Sequence, residues 1–171
     1  IKNNSKILID AEDYLIQDDI YKITDILLKK YNRNQVNIYK TYQMYRNDTL
    51  PLLIDDLKNK NFNLGCKLVR GAYYNQDHKY EVLFDKIEDT HHNYDEGIRN
   101  FINLNKSKDK LICATHNDES INLALKLDNT NNKIEYAQLM GMSDNLSNYI
   151  LKENKIVYKY LPYGNFKETL P

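Results

Sequence analysis

The chain has no tryptophan, and only three prolines and five glycines among 171 residues. No Pro/Gly/Ser-rich linker divides it, and it shows no low-complexity tract or fixed-period repeat. One continuous domain is therefore expected. Charge of either sign is not in excess, because 24 Lys and Arg balance 24 Asp and Glu. Nucleic-acid binders carry a basic surplus, so no nucleic-acid partner is expected. No apolar run approaches the roughly 18 residues of a membrane-spanning helix. The two cysteines, Cys66 and Cys113, lack CxxC or Cys/His spacing and sit inside apolar runs, as small core residues do. His91 and His92 are adjacent, about 100° apart on a helix, and His78 and His116 are distant in sequence. No metal site is expected. No GxGxxG follows any strand-like run, which removes support for a dinucleotide site of that kind. The chain starts at Ile1 without Met and stops at Pro171 directly after a motif, so it reads as a segment of a longer protein.

What is present is an alternation of apolar strand and amphipathic helix. Strand-like runs lie at Ile7–Ile9, Val36–Tyr42, Cys66–Val69, Leu111–Ala114, Ile134–Leu139 and Ile156–Leu161. Between the first two, Asp18 and Asp19 are expected to open a helix with Ile20, Ile23, Leu27 and Tyr31 on its inner face. Asp48 and Thr49 cap a second helix, with Pro51 in its first turn. A mostly polar connection runs from Asn75 to Thr90, before helical spacing at Tyr94, Ile98, Phe101, Ile102 and Leu104. Asp118 and Asp144 cap the last two helices. Strict alternation predicts a parallel sheet with right-handed crossovers. Polar residues gather at the C-terminal strand ends: Asp10, Gln43, Arg70, His116, Asn117 and Tyr163. Both open doubly wound sheets and (βα)8 barrels place their sites there. The expected fold class is α/β, an incomplete parallel (βα)8 TIM-type barrel with about six strands and five helices.

Four strand-end segments could carry chemistry. In Lys67-Leu-Val-Arg-Gly-Ala-Tyr-Tyr74, alternation sets Lys67 and Val69 on one face, Leu68 and Arg70 on the other. A lysine pointing into a barrel needs an anionic partner, such as a carboxylate or an anionic cofactor. Gly71 and Ala72 permit close backbone approach. Ala114-Thr-His-Asn117 precedes a helix N-terminus that favours phosphate or ribose oxygens. Ile9-Asp-Ala-Glu12 offers two carboxylates, and in Tyr158-Lys-Tyr-Leu-Pro-Tyr-Gly164 the residues Tyr160 and Tyr163 could line a small-molecule pocket. Each segment alone is also compatible with an ordinary strand end, capping turn or core aromatic.

Taken together the segments resemble the proline dehydrogenase family in its eukaryotic form. Ile-Asp-Ala-Glu at 9–12, Thr-Tyr-Gln at 41–43, Lys-Leu-Val-Arg-Gly-Ala-Tyr at 67–73, Ala-Thr-His-Asn at 114–117, Gln-Leu-Met-Gly-Met-Ser-Asp at 138–144 and Tyr-Leu-Pro-Tyr-Gly at 160–164 occur in the family's order. The resemblance implies a (βα)8 barrel with non-covalent FAD, of which residues 1–171 are the central part, its strands the second to seventh. It implies oxidation of L-proline to Δ1-pyrroline-5-carboxylate by hydride transfer to flavin N5. Electrons then pass to a quinone, with peripheral association with the inner mitochondrial membrane. Lys67, Asp10 and Tyr160 match catalytic positions, and Tyr73, Leu139 and Tyr160 match residues enclosing the proline ring. Asp10, Lys40, Lys67, Val69, Arg70, Gly71, Ala72, Thr90, Thr115, His116 and Asn117 match cofactor contacts. The family's carboxylate-clamping Arg-Arg pair is expected after Pro171, and its first-strand lysine before Ile1.

Two other functions fit the same motifs: a vestigial binding module without turnover, and a flavin dehydrogenase specific for hydroxyproline. Without the bidentate clamp on the substrate carboxylate, the isolated 171-residue segment is expected to be catalytically silent. Dye-reduction assays of the purified segment check this, and steady proline turnover would refute it.

Overall fold

The computed structural model describes residues 5–128 and 133–164. The chain ends lie outside the described residues. Among these are six strands: β1 (Ile7–Ile9), β2 (Ile38–Gln43), β3 (Gly65–Val69), β4 (Lys110–Ala114), β5 (Ile134–Leu139) and β6 (Val157–Tyr160). They pair in parallel in strict sequential order. The helices are α1 (Tyr14–Tyr31), α2 (Thr49–Asn59), the short α3 (Tyr74–Asp77), α4 (Ile87–Leu104), α5 (Asp118–Leu127) and α6 (Asp144–Lys152). A doubly wound sheet would reverse its strand order at a switch point, and this one never does. Instead it curls: Lys6, beside β1, reaches Glu135 of β5 and Tyr158 of β6 across the concave face. The architecture is a half-barrel, as expected for part of a (βα)8 fold.

Alternation along the strands divides two environments. One face packs on the helices and forms the apolar core, including Tyr42, Leu68, Leu111, Cys113, Ile134 and Tyr136 with Leu53, Tyr94, Ile98 and Phe101 from the helices. The other faces the lumen. The register pairs Thr41 with Lys67, Lys67 with Ile112, and Ile112 with Glu135, all on that inner face. At the N-terminal strand ends, buried aspartates pin the loops. Asp109 accepts from Leu64 N–H at 2.7 Å and pairs with Lys60 at 2.7 Å. Asp128 accepts from Ile134 N–H and pairs with Lys155, both at 3.1 Å. Conserving geometry at this end is a matter of stability.

Four expectations change. Asp118 and Asp144 stand one residue inside α5 and α6, whose cap positions are Asn117 and Ser143, and Asp48 holds the cap position of α2 without a side-chain cap bond. α1 starts at Tyr14 because Asp13, not Asp18, accepts from Leu15 N–H at 3.0 Å. Its buried residues are Gln17, Thr24 and Leu28, while Ile23 and Tyr31 are exposed. The polar connection after β3 contains α3 and a 3-10 turn at His78–Tyr80. Lastly, Lys40 is not in the lumen. It has the parity of Tyr42, faces the helix layer, and lies 2.8 Å from Asp25 of α1 and 2.9 Å from Asp56 of α2. Its ammonium also sits 4.8 Å from the Tyr21 ring centroid. Lys40 is 1% exposed, so removing the cation strands two carboxylates. Lys40→Met is expected to lower stability by about 3 kcal/mol in urea unfolding and to leave cofactor binding by the complete protein unchanged. A folded variant that fails to bind cofactor would return Lys40 to the site.

Candidate functional site

The lumen opens at the C-terminal strand ends into two adjoining cavities. One, about 270 Å³, is bounded by Ala114, Thr115, His116, Ala137, Leu139 and Tyr160 together with Asp10, Lys67 and Val69. The other, about 430 Å³, takes in Thr41, Gln43, Gly71, Ala72 and Tyr73 as well as Asp10, Lys67, Val69 and Tyr160. The shared wall contains an ion pair between Lys67 Nζ and Asp10. Parity puts Lys67 inside, and the end of β1 delivers the carboxylate that an inward-facing ammonium requires. Both cavities lie where barrel enzymes act, and their sizes suit small-molecule binding.

Several side chains are fixed before any ligand arrives. The Tyr73 hydroxyl donates to the Glu12 carboxylate. That bond, with burial and the nearby acidic charge, raises its pKa to about 12. Gln43 Nε2 donates to Glu12 O at 2.8 Å, so the β1 loop is tied to β2. Gly71 has φ 138°, and a Cβ there would collide with the Tyr45 ring, so only glycine gives this approach. Asp77 is fully buried and accepts from Tyr14 N–H at 2.9 Å and Tyr45 Oη at 2.7 Å. It holds the connection after β3 over the rim.

Arg70 points away from the lumen, as its parity predicts. It donates to His91 Nδ1 at 2.9 Å, Thr115 Oγ1 at 2.6 Å and Ser120 Oγ at 3.0 Å. Its guanidinium lies 4.4 Å from the Tyr94 ring centroid, and burial lowers its pKa. It thereby braces the 114–117 turn from behind. Asn117 Oδ1 accepts from Ser120 N–H at 2.8 Å, capping α5. Thr90 stands apart from the lumen, in a rim cavity of about 340 Å³ with Arg70, Gly71 and Lys86. Tyr163 is fully exposed.

His116 Nε2 accepts from Leu139 N–H at 3.2 Å. Burial and the Lys159 charge lower the His116 pKa. A neutral ring accepting at Nε2 carries its proton on Nδ1, and that atom is buried without a partner among the described residues. Thr41 Oγ1 and Gln43 Oε1 are buried and unpartnered too. Buried polar atoms are normally satisfied. Five others among the described residues, on Gln17, Tyr21, Tyr39, Arg46 and Tyr136, also lack a partner. Only these three belong to residues that line the two lumen cavities, where a ligand could supply both donors and acceptors. The donors, acceptors and cation fit the isoalloxazine end of FAD, and the paired alanines 114 and 137 leave width for a flat ring. Ala137 lines a cavity and belongs to none of the strand-end motifs, and Lys40, expected as a cofactor contact, faces the helix layer while Gln43 faces the lumen. Inner-face parity with Val69, its register partner, was the signal for Gln43.

Known proteins resemble this chain along nearly its whole length. The chain is 35% identical over 186 residues to mitochondrial proline dehydrogenase 1 of Dictyostelium discoideum, covering 96% of the chain and 32% of that protein. It is 29% identical over 188 residues to hydroxyproline dehydrogenase of Xenopus laevis, covering 99% of the chain and 40% of that protein. The chain thus spans about a third of the length of the first curated relatives it matches. Among solved structures, proline utilization A from Bdellovibrio bacteriovorus superposes with a TM-score of 0.80 at 16% identity, covering 93% of this chain and 18% of that one. That likeness shows the fold. The family model for proline dehydrogenase matches residues 1–171, and the chain belongs to the proline dehydrogenase family.

Proposed function

We propose that residues 1–171 are the central part of one barrel domain in an FAD-dependent mitochondrial proline dehydrogenase, which oxidises L-proline to Δ1-pyrroline-5-carboxylate. The observation that carries this reading is a lumen with a cation, Lys67, beside unpartnered polar atoms on Thr41, Gln43 and His116, in a chain of this family. When bound, FAD supplies at N5 the acceptor for the hydride that leaves the ring carbon next to nitrogen. Lys67 holds positive charge where electron density arrives, and Asp10 keeps the ammonium oriented. His116 Nδ1–H and Gln43 Oε1 serve the ring edge as donor and acceptor. The Gly71-Ala72 backbone gives close approach, and Arg70 and Asn117 hold the 114–117 turn in shape. Tyr73, Leu139 and Tyr160 wall in the proline ring and exclude water. Thr90 and its rim cavity lie toward the adenosine side. The same reading assigns a quinone as the final electron acceptor and peripheral attachment to the inner mitochondrial membrane. The mitochondrial names of the relatives support that setting. Hydroxyproline is the second substrate to weigh, favoured by the Xenopus relative.

The complete protein tests this. It is expected to carry FAD, and L-proline is expected to bleach the flavin absorbance and support dye reduction faster than hydroxyproline. Absence of bound FAD, or no bleaching by either substrate, overturns the proposal, and a preference for hydroxyproline selects the second reading. Lys67→Met is expected to slow flavin reduction about a hundredfold while FAD stays bound. Ala137→Leu is expected to keep the fold and abolish FAD loading, because its side chain fills the ring space.

A further inference from the structure

Behind the 114–117 turn, Arg70 is the hub of a hydrogen-bond network drawn from β3, α4, the end of β4 and α5. Its Nε donates to His91 Nδ1 at 2.9 Å, Nη1 to Thr115 Oγ1 at 2.6 Å and Nη2 to Ser120 Oγ at 3.0 Å. Thr115 Oγ1 also accepts from Asn117 N–H at 3.1 Å, and Asn117 Oδ1 accepts from Ser120 N–H at 2.8 Å. Ser120 Oγ donates to Asp95 Oδ1 at 2.6 Å. Arg70, Thr115, Asn117 and Ser120 therefore form a closed ring, with His91 and Asp95 attached from α4. β3 and β4 share a ladder and α4 packs on α5, so neighbouring elements hold every member in place.

The direction of each bond is forced. A guanidinium only donates, so His91, Thr115 and Ser120 must all accept from it. Ser120 Oγ then passes its own hydrogen to Asp95. Among the described residues no carboxylate pairs with Arg70 directly, so Asp95 supplies the counter-charge through Ser120, which is 1% exposed. Burial disfavours the Arg70 charge, and Tyr94 and Asp95 act against that. His91 and Asp95 stand four residues apart, on one face of α4, and neither belongs to a strand-end motif. Arg70 borders the rim cavity and the larger lumen cavity, and Thr115 the smaller one. One network thus backs all three.

We propose that His91 and Asp95 are positioning residues. His91 keeps a lone pair for Arg70, Asp95 balances the guanidinium through Ser120, and together they hold the 114–117 turn in the shape that receives the cofactor. The brace is a structural claim. Its effect on FAD rests on the function proposed above.

The test uses the complete protein. Hydrogen exchange at the Asn117 and Ser120 amides, measured after the cofactor is stripped, reports the brace alone. Titration with FAD reports affinity. His91→Leu is expected to speed that exchange about tenfold and to weaken FAD binding about tenfold to a hundredfold. His91→Asn, whose Oδ1 is as many bonds from the backbone as Nδ1, restores an acceptor and is expected to stay close to wild type in both. Asp95→Asn, which can still accept from Ser120 but carries no charge, is expected to fall between them. Lys40→Met, the control, is expected to lower Tm without moving either readout. Unchanged exchange in His91→Leu, or His91→Asn impaired as badly as His91→Leu, overturns the role of His91. Asp95→Asn indistinguishable from wild type overturns that of Asp95. If His91→Leu does not fold, His91→Ala decides through the same amides. A wild-type protein that binds no FAD sinks the functional reading alone, because exchange still decides the brace.

Discussion

Each strand of the half-barrel sends alternate side chains to the helix layer and to the lumen, and the two faces satisfy charge differently. Two lysines show the contrast. Lys40 and Lys67 sit on neighbouring strands one register step apart, since Lys67 pairs with Thr41. Lys40 turns outward and is consumed by Asp25, Asp56 and the Tyr21 ring. Its charge is spent on holding α1, α2 and β2 together. Lys67 turns inward to a single carboxylate, Asp10, whose side chain is 55% exposed. That pair is open to solvent and to a ligand, so its charge remains available. A one-residue slip of β3 would exchange the lumen and core sets and abolish the site.

This parity is legible in the amino-acid sequence at β3, where Lys67 and Val69 alternate with Leu68 and Arg70. At β2 the family pattern selects Lys40 by position, while the inward-facing residues are Thr41 and Gln43. A motif match records order along the chain, and a pleated strand also demands the correct face. The strand count and order were legible because each apolar run is short and bounded by polar turns. The face of α1 was not. Its apolar residues fall on two stripes, and Leu15, Ile16, Ile23 and Ile26 lie on the exposed one. The buried stripe carries Gln17 and Thr24, which hydrogen-bond locally: Gln17 Oε1 accepts from Glu12 N–H at 2.7 Å and Thr24 donates to Ile20 O at 2.7 Å. Periodicity of hydrophobic residues cannot select a stripe that is half polar.

The site residues also separate by how much freedom they retain. Arg70 has three side-chain partners and an aromatic face beneath it, so it shapes the 114–117 turn from outside the lumen. Its bond from Nε to His91 Nδ1 requires that nitrogen to keep a lone pair. Asp77 and Glu12 do the corresponding work on the other rim, through Tyr45 and Tyr73. Of the eight buried side-chain polar atoms without a partner among the described residues, three belong to Thr41, Gln43 and His116, which line the two cavities. The contrast between those three and the satisfied supports Arg70, Asp77 and Glu12 is what a preorganised binding site requires, because supporting groups must be held before the ligand arrives and contacting groups left free for it.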